Sequence, residues 1–210
     1  MSTHGYERNY EEDDANGVKD LPAATPTVIE ESLFKRRYVL ITGTINDRVA
    51  RAATERLLAL AAANDDPITV FISSPGGHVE SGDMIHDVIK FIRPEVRTIG
   101  SGWVASAGAL IFVAAERHRR FCLPNTRFML HQPSGGSGGT ASDIKIQAEQ
   151  LRVMRERFYR IFSVATGQTE QRIAEDTNRD FWLTPAEAVD YGLLGAVVQT
   201  VNELDNLAVE

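Results

Sequence analysis

One cysteine in 210 residues, Cys122, is too few for an internal disulfide framework or a Cys-x-x-Cys zinc site. It reads as a small buried hydrophobe and fits a reducing compartment. Positive charge is scarce too. The 22 Lys and Arg against 29 Asp and Glu leave a net charge of −7, and no basic stripe is present, which excludes general nucleic-acid binding. Long hydrophobic runs are missing. The most apolar stretch, residues 99–115, falls short of the roughly 20 residues that a membrane helix needs, and small residues dilute it. The opening "MSTHGYERNYEEDD" is acidic and has no apolar core, so it is not read as a secretory signal. Phosphate-cradling motifs are absent as well: there is no G-x-G-x-x-G and no Walker Lys-Ser/Thr.

What remains is an ordinary globular composition, 43% hydrophobic, at a length that suits one domain with a sizeable core. Residues 1–30 are polar and acidic and are expected to form a disordered or processed leader, or a segment ordered only in an assembly. From there strand and helix patterns alternate. "YVLITGTI" (38–45), "ITVFISS" (68–74) and "EVRTIGS" (95–101) are β-rich. Residues 47–65, 78–92 and 106–116 carry apolar residues at helical spacing. Residues 119–133 predict one or two strands broken at Pro124-Asn125. The alternation implies an α/β fold with parallel pairing and right-handed crossovers. After the flexible "SGGSGG" (134–139), an amphipathic helix over 141–165 would run about 37 Å at 1.5 Å per residue, more than a compact domain needs. It reads equally as a core helix or as an arm docking a neighbouring subunit. "TPAEAVDYGLL" (184–194) shows Thr184, Pro185 and Glu187 in a capping box, followed by a last strand at 196–201. Residues 203–210 are expected to be a frayed tail.

"SGWVASAGAL" (101–110) holds one hydroxyl, Ser106, among small residues. Two readings compete. Ser106 caps a helix in a close-packed turn, or it is a nucleophile at a helix N-terminus, where free N–H groups favour negative charge. It is not a G-x-S-x-G elbow, because Val104 stands where the first glycine would be. A serine nucleophile needs a base. Among the five histidines, His131 ends the strand "RFML" and faces the glycine stretch, which suits proton transfer as well as strand capping. His78, after the glycine turn, is a second candidate. Asp180 precedes Phe181-Trp182 and reads either as the acid orienting the histidine or as a solvated surface group. "SSPGG" (73–77) offers backbone N–H groups unobstructed by a Cβ, or is a plain turn.

"SSPGGHVESGDMIHDVIKFI", "GWVASAGA", "RRFCLPNTRFMLHQPSGG", "SDIKIQAEQL" and "EDTNRDFWLTPAEAVDYGLL" together resemble the proteolytic subunits of the Clp protease, the ClpP family. The likeness spans about residues 34–200, with a protease domain expected over 31–202. It implies a crotonase-like ββα superhelix, with the helix at 141–165 as a protruding handle that joins two stacked heptameric rings. It implies a serine endopeptidase that degrades unfolded proteins inside that barrel. Its triad falls on Ser106, His131 and, in "DTNRD", on Asp180 rather than Asp176. Its oxyanion donors fall on the backbone N–H of Gly77 and Ala107.

The resemblance further implies no metal or cofactor, with ATP used only by a partner AAA+ unfoldase of the Clp type. It implies a cytoplasmic location, a homo-oligomer or a hetero-oligomer with another subunit of the same type, and no nucleic-acid or membrane partner. A partner groove falls on Phe71, Phe91, Ile99, Phe121 and Leu123, with Thr69 and Ser101 more polar than the family's usual residues. Ala107 replaces a usual Met and implies a roomier pocket beside Ser106. Ser134 replaces a usual Leu, so the strand that binds substrate is expected to be less ordered. Two rival readings are a crotonase-type acyl-CoA enzyme and a non-catalytic or regulatory ring subunit. A signal-peptide-peptidase type, using Ser and Lys, would need a membrane anchor that is not seen.

Overall fold

Side chains of successive strand residues face opposite ways, so Val39 and Ile41 share one face of the sheet and Tyr38, Leu40 and Thr42 the other. The computed structural model describes residues 24–136 and 138–207. A first helix, α1 (Ala24–Lys35), precedes strand β1 (Tyr38–Thr42). Then follow α2 (Asp47–Ala63), β2 (Ile68–Ser74), α3 (Val79–Phe91), β3 (Val96–Ala105) and α4 (Ala107–Phe112). A short 3₁₀ turn leads into β4 (Arg120–Cys122) and β5 (Arg127–Leu130). Helices α5 (Ala141–Thr166) and α6 (Glu170–Asp176), strand β6 (Phe181–Leu183), helix α7 (Pro185–Tyr191), strand β7 (Ala196–Val197) and helix α8 (Val201–Leu207) complete the chain.

The sheet runs β1-β2-β3-β4-β7 with every neighbour parallel, as the strand–helix alternation predicts. β3 reaches four residues past the predicted Ser101 because it changes partners midway. Its first half pairs with β4 and its second half with β5. Between the two, the register against β2 shifts, and Gly102 adopts φ 66° at the irregularity. β5 then pairs antiparallel with β6.

One sheet face packs Val39, Ile41, Val70 and Ile72 against Leu57, Leu60, Ile85 and Ile111 of the helices. Fully burying such a side chain contributes roughly 1.5–3 kcal/mol. Caps fix the helix starts. Asn46 accepts from Val49 N at the start of α2, and Thr140 forms a capping box with Asp143 at α5. Thr184 and Glu187 form the predicted box at α7, with Pro185 in its first turn. The N-terminal half of α5 stands out from the body, exposed through residue 150, whereas Phe158, Phe162 and Thr166 are buried. The C-terminal half is thus a core helix, and the N-terminal half is exposed.

Three expectations differ. The leader expected over 1–30 lies outside the described residues up to 23, but 24–30 are helical as part of α1. Of the tail expected to fray at 203–210, residues through Leu207 are helical, because Leu204 is buried, and 208–210 lie outside the described residues. The last strand stops at Val197 rather than 201, where Thr200 begins capping α8. Among the described residues no helix is long and apolar enough to cross a membrane.

Candidate active site

The site grows from the end of β2. Ser74 Oγ donates to Gly43 O at 2.7 Å and accepts from Gly76 N at 3.0 Å. Ile45 N donates to Gly76 O, and His78 N donates to Ile45 O. The residues flanking Gly77 therefore carry the bridge to Ile45, and Gly77's own N–H points away from it. No side chain fits here. A Cβ on Gly77 would lie 2.2 Å from Ile45 O, and one on Gly76 would lie 2.6 Å from Ser106 Cβ.

Ser106 sits where β3 ends and α4 begins. Its backbone holds φ 53° and ψ −120°, a strained conformation for a residue with a Cβ. A strand and a helix hold it there: Ser106 N donates to Met129 O of β5 at 2.9 Å, and Leu110 N of α4 donates to Ser106 O at 3.1 Å. Ser106 does occupy the N-cap position, but its side chain makes no capping bond. Its hydroxyl instead lies 2.7 Å from His131 Nε2. The small neighbours do the packing. Position 82 on α3 approaches Ala107 Cβ, and position 108 approaches Ser74. The Ala107 side chain is buried and turned toward α3. As first residue of α4, Ala107 has an N–H with no acceptor inside the helix.

His131 follows the last residue of β5. In the β5–β6 register, Leu130 faces Phe181, so the next antiparallel step sets His131 opposite Asp180. Nδ1 of His131 lies 3.5 Å from Asp180 Oδ1, an ion-pair distance longer than a good hydrogen bond. The side chains are 30% and 61% exposed respectively. Sequence reasoning missed the residues that hold this pair. Gln132 N donates to Thr177 O at 2.9 Å, and Gln132 Nε2 donates to Asn178 O at 3.2 Å. The "HQP" and "DTNRD" pieces carried that signal, since each extends beyond its ionisable residue.

The other described candidates are engaged elsewhere. His78 contacts Ser81, Asp47 and Glu80, and His86 contacts Asp87. Asp176 accepts from Arg172 and from the Tyr191 hydroxyl, whose own ionisation is pushed up by burial and by that carboxylate. Burial raises the Cys122 thiol to about 11, so it is not a nucleophile at neutral pH. No cluster among the described residues could hold a metal ion. A cavity of 330 Å³ opens beside Gly77, between His78 and Glu80 of one wall, Ser134 and Gly135, and Leu151 and Met154 of α5. Of the predicted groove residues, Phe71, Ile99, Phe121 and Leu123 share one cluster. Phe91 stands apart at the end of α3, 80% exposed.

Comparison with known proteins bears on this arrangement. The family model described as Clp protease matches residues 24–201. An ATP-dependent Clp protease proteolytic subunit of Paracoccus denitrificans is 61% identical, over 90% of this chain and 96% of that protein. The ATP-dependent Clp protease proteolytic subunit 3 of Rhizobium meliloti is 55% identical, over 92% of this chain and 98% of that protein. Among solved structures, ClpP1 from Listeria monocytogenes superposes with a TM-score of 0.77 at 47% identity, covering 84% of this chain and 99% of that one.

Proposed function

Since this chain belongs to the Clp protease family, we propose that Ser106, His131 and Asp180 are the residues with which it performs serine-type peptide hydrolysis. The protein is a proteolytic subunit of an ATP-dependent Clp protease, with the crotonase-like α/β fold of its structural neighbours. The observation that carries the residue assignment is the 2.7 Å contact from Ser106 Oγ to His131 Nε2, made by a hydroxyl that no capping bond detains.

His131 Nε2 accepts the Ser106 proton as Oγ attacks the peptide carbonyl. With Nε2 receiving, the ring carries its other hydrogen on Nδ1, toward Asp180. Shortening that 3.5 Å contact by about 0.5 Å makes it a hydrogen bond to the developing cation. The carbonyl oxygen becomes negative and takes hydrogen bonds from Gly77 N–H and Ala107 N–H. Support for these donors is their backbone setting: neither N–H has a backbone acceptor among the described residues. His131 then protonates the leaving amine, and water, activated by the same imidazole, releases the acyl group. Every step uses groups of this chain, so we assign no metal or cofactor to the chemistry.

The family implies association with a Clp ATPase and oligomerisation. We further assign the ATP requirement to that AAA+ partner, the docking face to Phe71, Ile99, Phe121 and Leu123, and the exposed half of α5 to contact between two stacked heptamers. The single buried cysteine supports a reducing, cytoplasmic setting. Native mass spectrometry before and after a fluorophosphonate probe tests the core assignment. Each assembled subunit is expected to gain one adduct at Ser106, and none in Ser106→Ala. An assembled, peptide-hydrolysing sample that takes no adduct would overturn it, and an inactive one would favour acyl-CoA chemistry or a regulatory ring role.

A further inference from the structure

The sheet carries a second apolar surface. Leu40, Phe71, Ile99, Phe121 and Ala196 are paired neighbour to neighbour across five strands. Strand alternation puts this row on the face opposite Val39, Ile41, Val70 and Ile72, which pack against the helices. Burial along the row is graded. Leu40 is 49% exposed and Phe71 is half-buried, whereas Ile99 and Phe121 are sealed. The cover is Leu204 of α8, 6% exposed, packed with Val198 on Ile99 and Phe121.

The cover is weakly held. α8 has seven residues, far below the roughly 12–15 at which an isolated helix becomes even marginal in water. Leu204 is its one buried residue, while Val201 and Leu207 point outward. Its polar ties are local: Gln199 N donates to Glu203 and Glu203 N to Thr200 Oγ1. One tie reaches the sheet: Asp205 attracts the Arg97 guanidinium, which lies on the same face as Ile99, without a hydrogen bond to it.

We propose that α8 is a displaceable cover over the ATPase-docking face, and that a short apolar segment of the Clp ATPase takes the place of Leu204. Seating of α8 and docking of the partner exclude each other. The row then extends from the open Leu40–Phe71 end into the sealed Ile99–Phe121 end. An arriving segment gains a foothold on Phe71 before α8 leaves. This inference rests on the reading that the Phe71 face docks the ATPase.

The experiment uses the assembled protein and the Clp ATPase of the source organism, measuring the ATPase concentration that half-saturates degradation of an unfolded protein. A chain ending at Thr200 is expected to lower that concentration by roughly tenfold, the scale of freeing one buried leucine site. Leu204→Ala is expected to move it the same way by less, and it serves where the shortened chain does not assemble. Hydrolysis of a short peptide without ATPase is expected to be unchanged in both. Phe71→Ala is expected to raise the half-saturating concentration. If Phe71→Ala raises it but loss of Leu204 leaves it unchanged or raises it, α8 is a fixed wall and the inference fails while the docking reading stands. If Phe71→Ala changes nothing, the docking reading fails and the inference with it. Amide exchange gives an independent check: α8 should lose protection on ATPase binding, and a gain would overturn the proposal.

Discussion

Gly76→Ala would damage activity by displacing Ser106 while leaving every catalytic residue in the sequence. The new Cβ would lie 2.6 Å from Ser106 Cβ, 2.9 Å from Ala105 O and 3.1 Å from Ser106 Oγ. Carbon atoms rest at about 3.5–4.0 Å, so the two backbones must part by about 1 Å. That shift stretches the 2.7 Å contact to His131 beyond hydrogen-bond range. A misplacement of about 1 Å at a reacting group costs up to about 100-fold in rate. Stability falls as well. Position 76 has φ 97°, which costs a residue with a Cβ about 1–2 kcal/mol, and overpacking adds about 1–3 kcal/mol. Gly43→Ala separates the two effects. Its φ is 75°, but a Cβ there meets nothing within 4 Å. Both variants should assemble by native mass spectrometry and melt lower than the parent. Only Gly76→Ala should lose about 100-fold in initial rate on a fluorogenic peptide and in fluorophosphonate labelling. A folded Gly76→Ala within threefold of the parent would refute the reasoning, as would an equal loss in Gly43→Ala.

Three further outcomes follow from the same geometry. Asp180→Asn should slow peptide hydrolysis by about 10- to 1,000-fold. That is less than the ~10⁴-fold found where a buried acid of a Ser–His–Asp set is replaced, because Asp180 is 61% exposed and 3.5 Å away; an unchanged pH–rate profile would count against its role. Ser106→Gly should abolish hydrolysis yet denature about 1 kcal/mol later than Ser106→Ala, since glycine accepts φ 53° without strain; equal stabilities would remove the strain argument. At α7 the Thr184 N–H and hydroxyl hold the Glu187 carboxyl below its ordinary value. A lowered carboxylate stabilises the fold above its unfolded value and loses that contribution as pH falls through the folded one, so Glu187→Gln should flatten the melting-temperature profile below about pH 4.5.

Local signals were strong where a short stretch carries the whole cause. The capping box at Thr184 and Glu187, the β2 strand over 68–74 and the α5 helix needed only near neighbours in sequence. Ser106 at a strand-to-helix junction and His131 at a strand end were also visible from pattern. Whether Ser106 caps or reacts was not, because that depends on which atom its hydroxyl meets. Ala107 could not be placed either. Its identity is a local fact, but its inward direction is set by α3 packing against α4. The frayed-tail expectation differed through Leu207 for a similar reason. "NELDNL" is polar enough to fray, and only a distant apolar patch holds Leu204 down.

Legible from the chain alone are the alternation of strands and helices, the helix caps, the glycines that keep the Ser74–Gly77 turn open, and the collinear pieces that mark a Clp-type protease. Each depends on backbone preference or side-chain chemistry acting over a few residues. The tertiary structure decided what lies opposite what. The antiparallel step from β5 to β6 sets Asp180 beside His131, and the change of partner along β3 carries Ser106 to the same place. Register across the parallel strands lines up Leu40, Phe71, Ile99, Phe121 and Ala196, and α8 closes over one end of that row. Such pairings come from packing between segments far apart in the chain, where sequence pattern says which faces are apolar but not which faces meet.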